Sequence, residues 1–528
     1  MNKRSSGIVP NMRRSRQPAV ENPELVFGLV GPIGVDIEAV IEGLKVALTE
    51  MKYNTEVVHL TQMMSHKSVR TRVDETSYFK RYMSLIRYAN EYRKAAGSPA
   101  AMAGLAMARI RQKRPRRGLV MEPALGTAYI VRQFKRPEEI DAMRRVYGRK
   151  FVQVSVYGSP LDRRRVIMDK IASFDSSPKK DSEREAQAIE LIATDANQAD
   201  EENGQRVSDV FHLGDVFVNG IDKDMAAITL RRFVRAFFGD NFASPSIDEF
   251  GLYTATSASL RSVDLSRQVG AAIFTPLGDI ISMGCNEVPK AGGGNYWADS
   301  GELLARDMER GKDANQLRKD EILFDLVDRL SKSKSLSGAL NRKKGTQERV
   351  EAIMAKSSMK EAQLLDIIEF GRMIHAEMSA LTDAARLGRS TSGTTLYCTT
   401  FPCHLCAKHI VAAGVRRVVF LEPYPKSNAQ KLHDDSITLE KDESAKVFFE
   451  PFMGISPRRY RDIFEKKKRK DGRGRAQEWY EGSPVPRIED RSAAYIENEE
   501  SEIFLALPKF VARGSRRQGR PKKGVDKP

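Results

Sequence analysis

The 528-residue sequence predicts an α/β protein of two domains: an amino-terminal parallel-sheet domain and a carboxyl-terminal α/β/α sandwich. Three observations carry that prediction. Short apolar runs alternate with amphipathic segments through 24–238, the order that yields a parallel sheet covered on both faces. A strand–glycine–helix entry opens that region at 24–50. In the last third, His375-Ala376-Glu377 and Pro402-Cys403-His404-Leu405-Cys406 fall on either side of a predicted strand at 394–399.

The length exceeds that of a single ordinary core. The expected division is a disordered basic arm at 1–22, a first domain at 23–240, a second at 245–465 with an insertion at 298–365, and a basic extension at 466–528. Four cysteines argue for a reducing compartment and no disulfide framework. No apolar run reaches bilayer length, and the basic amino terminus lacks the apolar core of a secretory signal. A cytoplasmic protein without membrane contact is the expectation. Lys and Arg number 87 against 70 Asp and Glu, a net charge of +17. The excess clusters in the amino-terminal arm, at 109–117, at 458–475 and at 513–523. Such runs neutralise phosphates on nucleic acid, or serve solubility and anionic nucleotides; no base-reading module accompanies them.

In the first domain, 24–30 reads as a strand running into Gly28, Gly31 and Gly34, and 35–50 as a helix with Val40, Leu44 and Leu48 on one face. A second strand is expected at 55–60. Counted from Gly31, the second-glycine, lysine and hydroxyl slots of a phosphate-binding G-x-x-x-x-G-K-[ST] loop fall on Asp36, Ile37 and Glu38. Acids at the mouth of a helix oppose a phosphate, so phosphoryl transfer is not expected. Further strands are expected at 127–134, 151–156 and 209–219. Helices are expected from Arg136-Pro137-Glu138-Glu139, at 161–171, and from the last strand through Phe238. The polar segment 174–206 reads as a mobile lid or a disordered insertion, with the insertion favoured. The whole resembles a P-loop nucleotide-kinase fold with a degenerate loop.

In the second domain, a helical stretch in 245–266 leads to a hairpin of 268–275 and 280–285 about Pro276-Leu277-Gly278-Asp279. The charged segment 298–363 reads as surface helices. A helix at 366–387 carries His375 and Glu377 in its midsection; a strand at 394–399, a helix at 403–413 and a strand at 415–421 follow, the two strands parallel.

His375, Cys403 and Cys406 together read as a zinc site, with two thiolates spaced so that one helical turn chelates the ion. Three protein ligands leave a fourth position open, as in catalytic sites. Glu377, beside the histidine, suits a proton shuttle. A redox pair, or a closed four-ligand site completed by His409, stays open as an alternative. Cys285 and Cys398 read as ordinary buried cysteines.

H-x-E…P-C-x-x-C is the known signature of zinc nucleobase deaminases. With Ser266-Arg267-Gln268-Val269-Gly270-Ala271, Cys285-Asn286-Glu287-Val288-Pro289 and Glu422-Pro423-Tyr424-Pro425, the region 248–452 closely resembles a dCMP-type cytidine deaminase domain. Joined to the kinase-like first domain, the chain is similar to the two-domain bacterial anti-phage dCTP deaminases. The resemblance implies deamination of dCTP or dCMP, with Zn2+ as cofactor. It implies deoxyribose contact by Asn286, a nucleotide pocket closed by Tyr424, and substrate contacts from Arg267, Gln268 and Pro289. Glu287, where the commoner pattern has glycine, departs from simple monophosphate specificity. It further implies a homo-oligomer and restraint by a small inhibitory RNA, while the first domain could take a regulatory nucleotide, mediate assembly or receive the inhibitory partner. An RNA- or DNA-editing deaminase and an RNA-binding regulator are the alternative classes.

Overall fold

A computed structural model describes residues 22–510, apart from 65, 119, 176–178, 199–200, 300, 302–303, 357–358, 360–361, 425–426, 442–444 and 489–492. The expected arm at 1–22 and the basic end at 513–523 lie essentially outside the described residues. The chain divides into two compact units, one of 1–244 with 461–528 and one of 245–460. Among the described residues, no helix is long and apolar enough to cross a membrane.

The first unit is built on parallel strands in the order Val216–Asn219, Phe151–Tyr157, Leu25–Val30, Thr127–Phe134, Asn54–His59. The central strand, LVFGLV, is buried at every position, as a parallel strand covered on both faces must be. Gly28 belongs to this strand and not to the loop. A methyl there would meet the Phe151 ring at 2.7 Å and the Phe134 ring at 2.9 Å, so the glycine makes room for two aromatics. The loop proper starts at Gly31 and turns at Gly34, whose φ of +94° lies in the region that favours glycine. Asp36 caps the helix Ile37–Glu50, its Oδ1 accepting from Ala39 N–H at 3.0 Å.

Three expectations for this unit are corrected. Of the strand expected at 209–219, only Val216–Asn219 is extended; Val207–Phe211 is a short helix burying Val207, Val210 and Phe211 at helical spacing. The segment 174–206, expected to be a disordered insertion, is ordered over most of its described length. It contains the helix Asp181–Ala196, which buries Ala188, Leu191 and Asp195 along one face. The carboxyl-terminal extension also folds, in the first unit. Asn241 N–H donates to Glu478 O at 2.7 Å and Tyr480 N–H to Gly239 O at 2.9 Å. The helix Tyr495–Ala506 then seats Ala506 and Leu507 against Gly104 of the helix Ala101–Lys113. There the fully buried Arg114 bridges Glu24 (Nη2 to Oε1, 2.6 Å) and Glu499 (Nη2 to Oε1, 3.0 Å), and the Tyr147 hydroxyl also donates to Glu499.

The second unit is a mixed sheet in the order Ile437–Thr438, Val447–Pro451, Arg417–Glu422, Thr395–Thr400, Gly270–Phe274, Ile280–Cys285. Thr395–Thr400 pairs parallel to Arg417–Glu422, as expected, and antiparallel to the Gly270–Phe274 hairpin strand. Side chains alternate across the sheet. Leu396 and Cys398 point into a core shared with Ala376, Ala380 and Ile410. Tyr397, between them, packs on Gly251 of the helix Ile247–Ser259 and donates to Asp248 at 2.7 Å. Helices therefore cover both faces, giving the α/β/α sandwich. The segment expected to be surface-helical carries the helix Ala314–Lys332, of which only Leu323 and Val327 are buried.

Candidate metal centre and active site

The site forms where two helices begin. His375 is the residue preceding the helix Ala376–Arg386, and Cys403 the one preceding His404–Ala412. Cys406 stands in the first turn of the second helix, three residues on, on the same face as Cys403. Helix amino termini favour negative charge, which suits two thiolates. The expected helix at 366–387 is corrected here: its first half is not helical, and His375 caps it rather than lying in its midsection. Ile374 and Glu287 exchange backbone hydrogen bonds at 3.0 and 3.3 Å, and that long-range pairing holds the chain extended up to the histidine.

Close approach of the helix to the sheet fixes the height of His375 and Glu377. A methyl on Gly284 would stand 2.2 Å from Ala376 O and 2.4 Å from Ala380 N, so only glycine lets the helix seat there. Sequence reading missed this residue, though a glycine inside a predicted strand was the available signal.

His375 Nδ1 is 3.3 Å from Cys403 Sγ and 3.4 Å from Cys406 Sγ, and all three ligating atoms lie within 4.8 Å of one another. Tetrahedral zinc with bonds of about 2.0–2.3 Å would separate nitrogen and sulfur ligands by about 3.5 Å, so the donor set fits that ion. A hydrogen bond from Cys406, and then His375, pulls the Cys403 thiol down to about 4, while Cys406 is pushed up. Burial alone would lower His375, but the adjacent Cys403 raises it. The alternative ligands point elsewhere. His409 Nδ1 is 2.7 Å from Leu405 O, and His404 Nε2 is 3.2 Å from Glu369 Oε1.

Glu377 is buried, and Cys406 donates to its Oε2 at 3.4 Å. Burial pushes its carboxyl above the ordinary range. Cys285 and Cys398 are fully buried, and Cys398 Sγ faces Val419 O at 3.7 Å.

The expected substrate contacts are held by the protein itself. Asn286 accepts from Val269 N–H at 2.7 Å and donates to Arg267 O at 2.7 Å, bracing the segment before the hairpin. Gln268 donates to Ser262 O at 2.8 Å. Arg267 is exposed, with Glu422 at 2.8 Å and the Tyr424 ring centroid at 5.7 Å, so these two residues are brought together. Pro289 lines a separate cavity of about 240 Å³ with Asn295, Ser379 and Arg386. Glu287 is buried and turned inward, accepting from Val263 N–H at 3.1 Å and Val288 N–H at 2.8 Å, so its charge serves the loop.

Residues 246–422 match the cytidine and deoxycytidylate deaminase zinc-binding region. The chain is 46% identical over 54 residues to the deoxycytidylate deaminase of Enterobacteria phage T4, covering 10% of this chain and 28% of that protein. It is 38% identical over 87 residues to the probable deoxycytidylate deaminase of Drosophila melanogaster, covering 15% and 42%. Thus it spans less than half the length of these curated relatives. Among solved structures, the dCMP deaminase from cyanophage S-TIM5 in complex with dCMP and dUMP is 19% identical, covering 40% of this chain and 98% of that one, with a TM-score of 0.23. On the family match and the ligand geometry together, the second unit carries a domain of the dCMP/cytidine deaminase type.

Proposed function

We propose that the second unit hydrolytically deaminates a deoxycytidine nucleotide, dCTP or dCMP, giving dUTP or dUMP and ammonia. The observation that carries this reading is a buried carboxylate, Glu377, set beside three residues fit to hold zinc. His375, Cys403 and Cys406 would hold the zinc, which when bound would acidify a water to a pKa of about 7. Glu377 manages the protons. With its affinity for protons raised by burial, it takes one from the attacking water, delivers it to N3 of cytosine as C4 is hydrated, and then carries a proton to the departing amino nitrogen. Water and cytosine are consumed; uracil and ammonia leave. Arg267 and Tyr424, adjacent on the exposed side, are the residues of the expected substrate set best placed to meet a nucleotide.

The wider reading is that the chain depletes dCTP during phage infection, as a homo-oligomer restrained by a small RNA. Its first unit, in this reading, descends from a P-loop kinase fold and answers to a regulatory nucleotide. Support for the lost kinase chemistry comes from Asp36, which caps the helix where a phosphate-binding loop would place its ligand. A net charge of +17 favours a second reading, action on RNA or DNA. A parallel assay of dCTP, dCMP, CTP and single-stranded RNA separates the two. Conversion of the deoxynucleotides is the expected result, and conversion of RNA alone would replace this reading with the second.

A further inference from the structure

The first unit encloses a cavity of about 500 Å³, within the ~300–1,000 Å³ range of small-molecule sites. It lies at the carboxyl ends of three neighbouring parallel strands, reached by Pro32 after Leu25–Val30, by His59, and by Gln133. That edge is where open parallel sheets bind their ligands. One wall is apolar and comes mainly from the helix Tyr78–Ala96, through Tyr82, Leu85, Ile86 and Ala89.

Most charged groups around the cavity are matched within the protein, Arg81 by Glu75 among them, while Lys170 is exposed and its side chain has no partner among the described residues. Lys135 Nζ donates to Asp195 at 2.6 Å and Gly31 O at 2.9 Å, Arg93 pairs with Glu139, and Arg132 pairs with Glu38. Asp195 Oδ2 also accepts from Ile33 N–H at 2.7 Å. A backbone N–H in the loop between a strand and a helix is the donor a phosphate would use. Here a buried carboxylate of the protein's own helix Asp181–Ala196 fills it, and Asp36 holds the amide at the helix start. Two carboxylates thus stand where polyphosphate would need to sit.

A neutral group inside the cavity is also unmatched. Gln205 lines the cavity, is 3% exposed, and its Oε1 has no partner among the described residues. Its backbone is pinned at both ends, N–H to Gln198 Oε1 at 3.0 Å and O to Gln198 N–H at 2.9 Å, so the side chain is held in place. A buried acceptor without a donor carries a cost that a ligand N–H removes. A flat heterocycle with an apolar face for the helix wall and N–H groups on its edge meets both demands.

We propose that this cavity is a second small-molecule site, which takes a nucleoside through its base and excludes the polyphosphate of a nucleoside triphosphate. The proposal deepens, and rests on, the reading of the first unit as a nucleotide-responsive domain. Atoms of the bound molecule are not transformed; the site binds only.

Calorimetric titration of the full zinc-loaded chain tests it. The probes are thymidine, adenosine and guanosine, each against its own triphosphate with and without Mg2+. At least one nucleoside is expected to bind one-to-one, and no tighter as its triphosphate, with Mg2+ making no difference. Gln205→Met should weaken that binding about tenfold or more, leaving zinc content and deamination turnover unchanged. Tyr82→Leu, on the apolar helix wall, provides the same test should Gln205→Met fail to fold. A triphosphate that binds about tenfold tighter than its nucleoside, and loses affinity in Tyr82→Leu, would overturn the nucleoside assignment while sparing a regulatory nucleotide. Nucleoside binding indifferent to both variants would place the molecule elsewhere and overturn the proposal. Binding of no probe would overturn the proposal and the regulatory reading together.

Discussion

A methyl group on Gly284 would come within 2.2 Å of the carbonyl oxygen of Ala376, the residue between His375 and Glu377. The strand Ile280–Cys285 therefore sets the position of the metal ligand and of the proton carrier at once. Gly284→Ala forces backbone to move, not a flexible side-chain end. A loss of about 1–3 kcal/mol in unfolding free energy is expected, as for other overpacked cores. Bound zinc per chain, measured by atomic emission, should fall with it. An alanine variant with unchanged zinc and stability would show that the helix seats without this contact.

Removing a ligand tests the donor set. Cys403→Ala leaves His375 and Cys406, 3.4 Å apart, which cannot enclose a tetrahedral ion. Zinc content should drop to near zero after dialysis against a mild chelator, and deamination with it. His409→Ala should change neither, because His409 Nδ1 is turned to Leu405 O.

Much of this site was legible in the sequence because its residues are chemically rare and closely spaced. The strands Thr127–Phe134 and Ile280–Cys285 were legible because their apolar runs end in turn residues. What escaped was set by distant partners. Nothing near His375 announces that Ile374 will pair with Glu287 and hold the histidine outside the helix. In Asp181–Ala196, a high charge content hid the face formed by Ala188, Leu191 and Asp195. Arg114 and Glu499 are 385 positions apart, so the return of the carboxyl-terminal segment into the first unit had no local signal. Gly28 was taken for a loop glycine because a strand interior seldom holds one, and its reason is the two rings beside it.

That Arg114–Glu499 pair links the carboxyl-terminal segment to the rest of the first unit's chain, with both side chains fully buried. Glu499→Ala leaves the guanidinium with Glu24 alone in an apolar setting, and a loss of about 3–5 kcal/mol is expected. Denaturant titration measures it. A variant within about 0.5 kcal/mol of wild type would mean that the pair does not tie the segment down.

In the second unit, Arg417 binds Asp248 through two nitrogens at 2.7 and 2.8 Å, and Tyr397 donates to the same carboxylate at 2.7 Å. Burial would raise the Asp248 carboxyl, but Arg417 and Tyr397 outweigh it and hold the group below its usual 3.8. A carboxylate depressed in the folded state stabilises above its unfolded value, and that contribution is lost as pH falls through the folded one. Asp248→Asn should therefore lower the melting temperature by a few degrees at pH 7. The gap from wild type should close as pH is taken below 3.8. A gap independent of pH would assign the effect to packing alone.

The most direct test of the account is turnover of dCTP and dCMP by the wild-type chain and by Glu377→Gln, with zinc measured on the same samples. Glu377→Gln keeps the size of the buried side chain and removes its capacity to carry a proton. The account predicts full zinc content and a fall in deamination of about 10²-fold or more. Near wild-type release of ammonia from a zinc-loaded Glu377→Gln protein would contradict it.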